Sequence, residues 1–333
     1  MFARRPASWC RFALLLTIFA SAGTALACGG AESPAPAEEP PSAPAAESVA
    51  PASVVAPGAA PELVQDGFSF TEGPVFGPDG NLYFSDVRES RIHRVLPDGT
   101  VEVYLENTDG ANGLAFDDAG RLIAAQGAGG QVGAFDPDGN VTVLAEGTAE
   151  DPYRPNDLIL DGRGGIYFTD PGQRGTPEAP ATRNPRVWYI TPEGETVLVT
   201  DAAGRANGIT LTLDGSTLIL ADSDGPDVLA MDVAADGTAS NLRSWASLED
   251  IPAGERSGAD GMAVDADGRL YVATVAGVQV FDQDGVYLET IQFPQQASNV
   301  AFGGPDRATL FATARTGVYS LRMATAGPVD RAK

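Results

Sequence analysis

The chain has 333 residues, with 45 acidic against 21 basic side chains and a formal net charge of -24. Hydrophobic residues at 43% are enough for a sizeable core, so a chain disordered throughout is excluded. The charge argues against nucleic acid or an anionic membrane surface as a partner, and 39 Gly with 25 Pro suggest a turn-rich β protein instead of a helical bundle.

At the N-terminus, Arg4, Arg5 and Arg11 form a basic region, followed by the apolar run Phe12 to Phe19 and then small residues. That pattern is a secretory signal, too short and too early for a spanning helix. It ends in Ala25-Leu26-Ala27-Cys28-Gly29-Gly30, which resembles a bacterial lipobox with Ala25 where Leu is usual. We therefore expect a signal peptide over 1–27, lipidation of Cys28 and export to the periplasmic or cell-surface side of a membrane. Residues 28–61 are mostly Ala, Pro, Ser, Gly and Glu, which predicts a disordered, extended spacer. A membrane would then be reached through the lipid anchor alone.

From Glu62 the chain repeats itself. An apolar strand, a D/G turn and a second apolar strand recur six times, at 73–86, 113–126, 157–170, 208–222, 261–274 and 299–313. Each copy has the pattern of an antiparallel hairpin, and most are followed by a third and a fourth strand. The spacing of about 44 residues suits four-stranded blades set around an axis. The last copy is short, and Glu62-Leu63-Val64-Gln65 precedes the first, so this segment is expected to supply the missing outer strand. The expected fold is an all-β, six-bladed β-propeller over 62–325, with a tail at 326–333.

Aligning the six copies brings one position into register just before the first strand: Glu72, Asn112, Asn156, Asn207, Asp260 and Ser298. All six side chains carry oxygen. The first strand of each propeller blade lines the central channel, so these six are expected to converge at one mouth of it. A plainer explanation is that Asn-Gly and Asp-Gly only make tight turns there. It leaves Glu72 before Gly73-Pro74 and Asn156 before Asp157 without a reason. Oxygen ligands without nitrogen or sulfur select a hard cation, and two carboxylates would balance two positive charges. Glu72, Asn156, Asn207 and Asp260 are the expected metal ligands, for calcium or another divalent cation such as Mg, Mn or Zn.

The single histidine, His93, rules out a paired-His zinc motif and a Ser-His-Asp set, and it is expected to be structural. The only lysine, Lys333, makes a Schiff-base mechanism implausible.

Phe70-Thr71-Glu72-Gly73-Pro74-Val75, Arg154-Pro155-Asn156-Asp157-Leu158, Ala206-Asn207-Gly208 and Ala259-Asp260-Gly261-Met262 resemble, in order, the motifs of the regucalcin/gluconolactonase (senescence marker protein) family. The resemblance spans residues 62 to 322. It implies a calcium-type ion held by Glu72, Asn156, Asn207 and Asp260, a substrate contact at Arg154, and hydrolysis of small-molecule sugar lactones. In this reading Asp260 is the general base, while Arg154, Asn156 and Asn112 bind substrate. Asp170-Pro171 is expected in the pocket wall, and the insertion 171–186 is expected to form a lid. The rival readings are a non-catalytic, lipid-anchored binding propeller and a phosphotriesterase using the same ion.

Overall fold

The computed structural model describes residues 53–173, 183–329 and 331. The expectations for the signal peptide, for Cys28 and for most of the spacer fall on residues 1–52, outside the described residues, as does the central part of the 171–186 insertion.

The hairpins expected from the repeats assemble into six four-stranded antiparallel sheets. Blade 1 holds β2 (Thr71–Phe76), β3 (Leu82–Asp86), β4 (Arg91–Val95) and β5 (Val101–Glu106). Blade 2 holds β6 (Ala111–Phe116), β7 (Leu122–Gln126), β8 (Gln131–Phe135) and β9 (Val141–Glu146). Blade 3 comprises β10 (Leu158–Leu160), β11 (Ile166–Asp170), β12 (Arg186–Ile190) and β13 (Thr196–Thr200). Blade 4 comprises β14 (Ala206–Leu211), β15 (Thr217–Asp222), β16 (Asp227–Val233) and β17 (Ala239–Ser247). Blade 5 has β18 (Met262–Val264), β19 (Leu270–Thr274), β20 (Gly277–Phe281) and β21 (Tyr287–Ile291).

Blade 6 is built from both ends of the domain. Its strands β22 (Asn299–Gly303), β23 (Thr309–Ala314) and β24 (Gly317–Arg322) are completed by β1 (Glu62–Asp66), which pairs antiparallel with β24. The missing outer strand is thus the one the sequence offers, and the ring closes by main-chain hydrogen bonds.

The sheets cannot bury both faces alone, so apolar faces meet between blades. Tyr167 and Val187 of blade 3 pack with Ile209, Leu218 and Leu220 of blade 4 in one such cluster. Each large side chain buried this way is worth roughly 1.5–3 kcal/mol. The inner strands β2, β6, β10, β14, β18 and β22 neighbour one another in that order around the axis. Among the described residues the one helical element is a single 3-10 turn, Val87–Glu89. None of their helices is long and apolar enough to cross a membrane.

Ser53 to Ala59, within the segment expected to be spacer, lie on the propeller. Val54 is buried in the cluster between blades 5 and 6, Val55 bridges Met323, and Ala56 donates to the Arg322 carbonyl. The valines at 54 and 55 give this stretch the apolar surface that the Ala/Pro sequence before it lacks.

Candidate active site

Six hydrogen bonds run around the axis at one level and join each blade to the next. Ser85 Oγ donates to the Asn112 carbonyl at 2.8 Å, and Gly113 N donates to the Asn156 carbonyl at 2.8 Å. Thr169 Oγ1 donates to the Asn207 carbonyl at 2.6 Å, and Ser223 Oγ to the Ala259 carbonyl at 2.7 Å. Gly261 N reaches the Ser298 carbonyl at 2.8 Å, and Ser298 Oγ closes the circuit on the Thr71 carbonyl at 2.8 Å. The register read from the repeats is therefore a real level in the molecule, at one end of the channel.

The backbone at this level is irregular. In β2, β6 and β14 the pairing register slips by one residue directly after Glu72, after Ala111 and after Ala206, so each strand carries a bulge there. A bulge breaks the strict in-out alternation and re-aims a side chain. In blades 3 and 5 the same end is reached differently, because Asn156 and Asp260 precede the first paired residue of β10 and β18.

Two of the glycines that follow ring residues, Gly113 and Gly208, are not turn glycines, whereas Gly73 has φ 50°. Neither Gly113 nor Gly208 has a positive φ. A Cβ on Gly208 would lie 2.1 Å from the Asp260 carbonyl oxygen, and one on Gly113 would lie 2.2 Å from Asp157 Oδ1. Inner strands converge most closely here, and glycine admits the neighbour's backbone or side chain. That explains Asp157 in the one copy with an Asn-Asp pair: its side chain occupies the space that Gly113 leaves.

Glu72 is buried, and its Oε2 accepts from Gly73 N at 3.2 Å and from Asn299 Nδ2 at 3.4 Å. Asn112, Asn156, Asn207 and Asp260 are half-buried. Ser298 departs from the expectation of six converging oxygens. Its Oγ is taken up by the Thr71 carbonyl and by Thr313, so it serves as the ring's closing latch.

Asn207 is the most informative member. Its Nδ2 donates to Ser223 Oγ at 3.0 Å, and Ser223 Oγ donates its one hydrogen to the Ala259 carbonyl. Ser223 can then only accept from Asn207, which fixes the amide's orientation by hydrogen-bond logic. Asn207 Oδ1 is left buried with no donor among the described residues. Two orphaned atoms, Trp188 Nε1 on β12 and Asn81 Oδ1 at the β2–β3 turn, lie away from the ring. A buried amide oxygen without a donor is costly, and a cation is one partner that would satisfy it. The donor set fits a hard divalent cation. Among the described residues no three His, Cys, Asp or Glu side chains cluster as a metal site, as expected where amides supply half of the ligands.

A supporting set of aspartates, whose role the sequence reading missed, stands behind the ring. Asp86, Asp170 and Asp222 end the second strands of blades 1, 3 and 4. Asp86 accepts Ser69 N and Phe70 N, each at 2.9 Å. Asp170 accepts Arg154 N at 3.3 Å, and Asp222 accepts Arg205 N at 2.9 Å. Phe70, Arg154 and Arg205 each stand two residues before a ring residue, so one device is used three times. The signal was present in the aligned copies as F-S-D, F-T-D and L-A-D.

Asp170 is fully buried and also holds Arg183 at 3.4 Å and Arg186 at 3.3 Å. Arg154 is exposed and lines a cavity of about 510 Å³ with Gly127, Tyr153, Gln173 and Arg183. Gln173 N donates to the Arg183 carbonyl at 3.3 Å, which pins the two ends of the insertion beside this cavity. The central part of the expected lid, 174–182, lies outside the described residues. His93 lies in blade 1, stacked on Phe84 and edge-on to Phe68, where burial pushes its imidazole below the ordinary value.

The fold defines the class: a closed six-bladed β-propeller, with Glu72, Asn112, Asn156, Asn207 and Asp260 at the inner-strand entries of one end. The chain belongs to the SMP-30/Gluconolactonase/LRE-like family, whose model matches residues 70–316. It is similar to the gluconolactonase of Zymomonas mobilis, 28% identical over 298 residues that cover 80% of this chain and 82% of the relative. It is also similar to pentonolactonase XacC of Haloferax volcanii, 29% identical over 254 residues covering 74% and 81%. Among solved structures it resembles XC5397 of Xanthomonas campestris, described as a gluconolactonase, at 30% identity and a TM-score of 0.72, with 81% of this chain and 91% of that one covered.

Proposed function

We propose that the protein hydrolyses a sugar lactone at the ring-side mouth, with Glu72, Asn156, Asn207 and Asp260 holding a calcium-type divalent cation. The observation that carries this reading is the locked, donorless Asn207 Oδ1 on one level with Glu72 and Asp260. Family membership and the lactonase names of the relatives support the reaction class.

When bound, the cation supplies positive charge beside the lactone carbonyl. The chain's own residues do the rest. Arg154 and Asn112 orient the substrate's polar groups at the mouth. Asp260 takes a proton from a water, whose oxygen adds to the carbonyl carbon. The ring C–O bond then breaks, the departing oxygen takes up a proton, and the product is an open hydroxy acid. At neutral pH that acid ionises, so each turnover releases one proton.

The test is a lactone panel together with an organophosphate triester, assayed by proton release on the full chain with and without a chelator. Chelator-sensitive turnover of aldonolactones is expected. Turnover of the triester alone would transfer the site to phosphotriester chemistry, and activity on neither with no bound metal would leave a binding propeller. Asp260→Ala should lower kcat by about 10²–10⁴-fold while the protein remains folded. Undiminished turnover in that variant would end the assignment of Asp260 as base.

We also propose that the chain is exported and anchored through Cys28, on the strength of the basic and apolar leader before it. Metabolic labelling with a radioactive fatty acid should mark the wild type and miss Cys28→Ser. Equal labelling of both would refute the anchor.

A further inference from the structure

Most arginines among the described residues pair with a carboxylate, as Arg94 does with Glu102, Arg186 with Asp151 and Asp170, and Arg322 with Asp306. In a chain of net charge -24 that is the default, since an acidic side chain is rarely far away. Two arginines at the rim of the ring-side mouth break the pattern. Arg88 lies in the single turn that follows β3, and Arg315 in the tight turn between β23 and β24. Blades 1 and 6 bring both to one aromatic ring. The Arg88 guanidinium stands 5.2 Å from the centroid of Phe70, and that of Arg315 stands 5.8 Å from it.

Neither has a carboxylate partner among the described residues. Arg315 donates to the neutral Gln296 amide, and Arg88 stands over the ring. Phe70 stands two residues before Glu72. Its backbone is held by Asp86, and Thr71 N is held by the Arg315 carbonyl at 2.8 Å. The stack is therefore fixed to the same segment that delivers Glu72 to the ring. Arg154, at the rim by Asn156, likewise has no carboxylate partner among the described residues.

Two guanidiniums drawn to one ring repel each other, and neither is ion-paired among the described residues. An anion between or above them would offset that repulsion. Guanidinium forks match carboxylate and phosphate oxygens, and stacking on an aromatic face pre-sets their orientation. The surrounding acidity makes such a device necessary, because a strongly negative protein turns anionic substrates away unless its mouth carries local positive charge.

We propose that Arg88 and Arg315, stacked on Phe70, form an anion-recognising clamp, and that the favoured substrates are lactones bearing a carboxylate or phosphate substituent. The inference rests on the lactonase reading and narrows its substrate class. The clamp binds the charged substituent, and the lactone carbonyl is left for the ring.

The experiment compares kcat/KM on the full chain for neutral glucono-1,5-lactone, the carboxylate glucaro-1,4-lactone and 6-phosphoglucono-1,5-lactone. It uses the wild type and the double variant Arg88→Gln/Arg315→Gln, with thermal unfolding as the check on folding. Wild type should prefer at least one charged lactone over the neutral one by about tenfold or more, and which one distinguishes carboxylate from phosphate. In the double variant the charged-to-neutral ratio should fall about 10–100-fold, the loss typical of charge-assisted hydrogen bonds. A ratio near one in the wild type, or a ratio unmoved in the variant, would overturn the clamp and leave the lactonase reading intact. Calorimetric binding of 6-phosphogluconate and glucarate against gluconate separates the two ideas further. Tighter binding of either than of gluconate that disappears in the double variant, in a protein that opens no lactone, would uphold the clamp and sink the lactonase.

Discussion

The two ends of the channel are built from the same six repeats yet treat their polar groups in opposite ways. At the end away from the ring, each hairpin turn satisfies its own aspartate. Asp79 takes the Tyr83 hydroxyl at 2.7 Å, Asp161 takes Tyr189 at 2.7 Å, and Asp265 takes Tyr271 at 3.0 Å. The C-terminal tail then crosses this end, with Ala326 on blade 5, Gly327 on Arg307 of blade 6, and Arg331 donating to the Leu211 carbonyl of blade 4 at 2.6 Å. At the ring-side end the aspartates reach outward to neighbouring loops, an amide oxygen lacks a donor, and arginines stand without carboxylates. The larger cavity, about 1440 Å³, lies at the end that the tail crosses, and the one beside Arg154 is about 510 Å³. The larger open space and the proposed site therefore lie at different ends. The end away from the ring also holds open groups, since Asn81 Oδ1 has no donor among the described residues and Arg307 and Arg331 bond carbonyls. What sets the ring-side end apart in the proposed reading is that its donorless amide oxygen, Asn207 Oδ1, lies on the level of Glu72 and Asp260.

If this contrast is sound, substitutions at the ring-side end should damage function more than stability, and those at the other end the reverse. The largest effect is expected for Glu72→Gln. It preserves an oxygen for Gly73 and Asn299 but removes one of the two ring carboxylate charges, and lactone turnover should fall about 10²–10³-fold. A drop of less than about threefold would remove Glu72 from the site. Next is Asp222→Ala, which releases Arg205 N two residues before Asn207. Divalent-ion affinity should weaken by about 10–100-fold, measured by calorimetry, with Asp222→Asn restoring much of it. Loss of thermal stability in both variants, with no change in ion affinity, would make Asp222 merely structural.

At the opposite end, Asp265→Ala should cost roughly 2–4 kcal/mol of stability by stranding the buried Tyr271 hydroxyl and the Arg269 turn, while kcat at a permissive temperature stays within about twofold. A collapse of activity in a fully folded Asp265→Ala protein would erase the distinction between the ends. The smallest effect concerns His93. Burial holds its folded value below the ordinary 6.5, so the unfolded chain binds a proton that the folded chain refuses. Stability should be full above pH 6.5 and decline as pH falls through it. Urea midpoints between pH 7.5 and 5 should show this decline in the wild type and a flatter arm in His93→Phe.

The blade repeat was legible because hairpins leave a local signature, and even the closing strand could be read from the orphaned Glu62 to Gln65. The ring was legible for a related reason: symmetry turns a sequence register into a level in space. What the sequence hid depends on contacts between blades. Nothing in Ser298 announces that its hydroxyl is spent on Thr71 across the closure seam. Nothing in Asn207-Gly208 distinguishes a turn from a glycine pressed against Asp260. Arg88 and Arg315 lie 227 positions apart and meet at Phe70 only because the first and last blades join. The docking of Ser53 to Ala59 was missed because a proline-rich composition outweighed two valines.

The central claim is that the ring-side mouth is completed by a divalent cation bound partly through Asn207 Oδ1. The most direct measurement is calcium binding by isothermal titration to the chelator-stripped full chain and to Asn207→Leu, with circular dichroism confirming that both are folded. One ion per chain bound by the wild type, with affinity lost or reduced at least about tenfold in Asn207→Leu, is the predicted result. No binding by the wild type to calcium, magnesium, manganese or zinc, or identical binding by the two proteins, would contradict it.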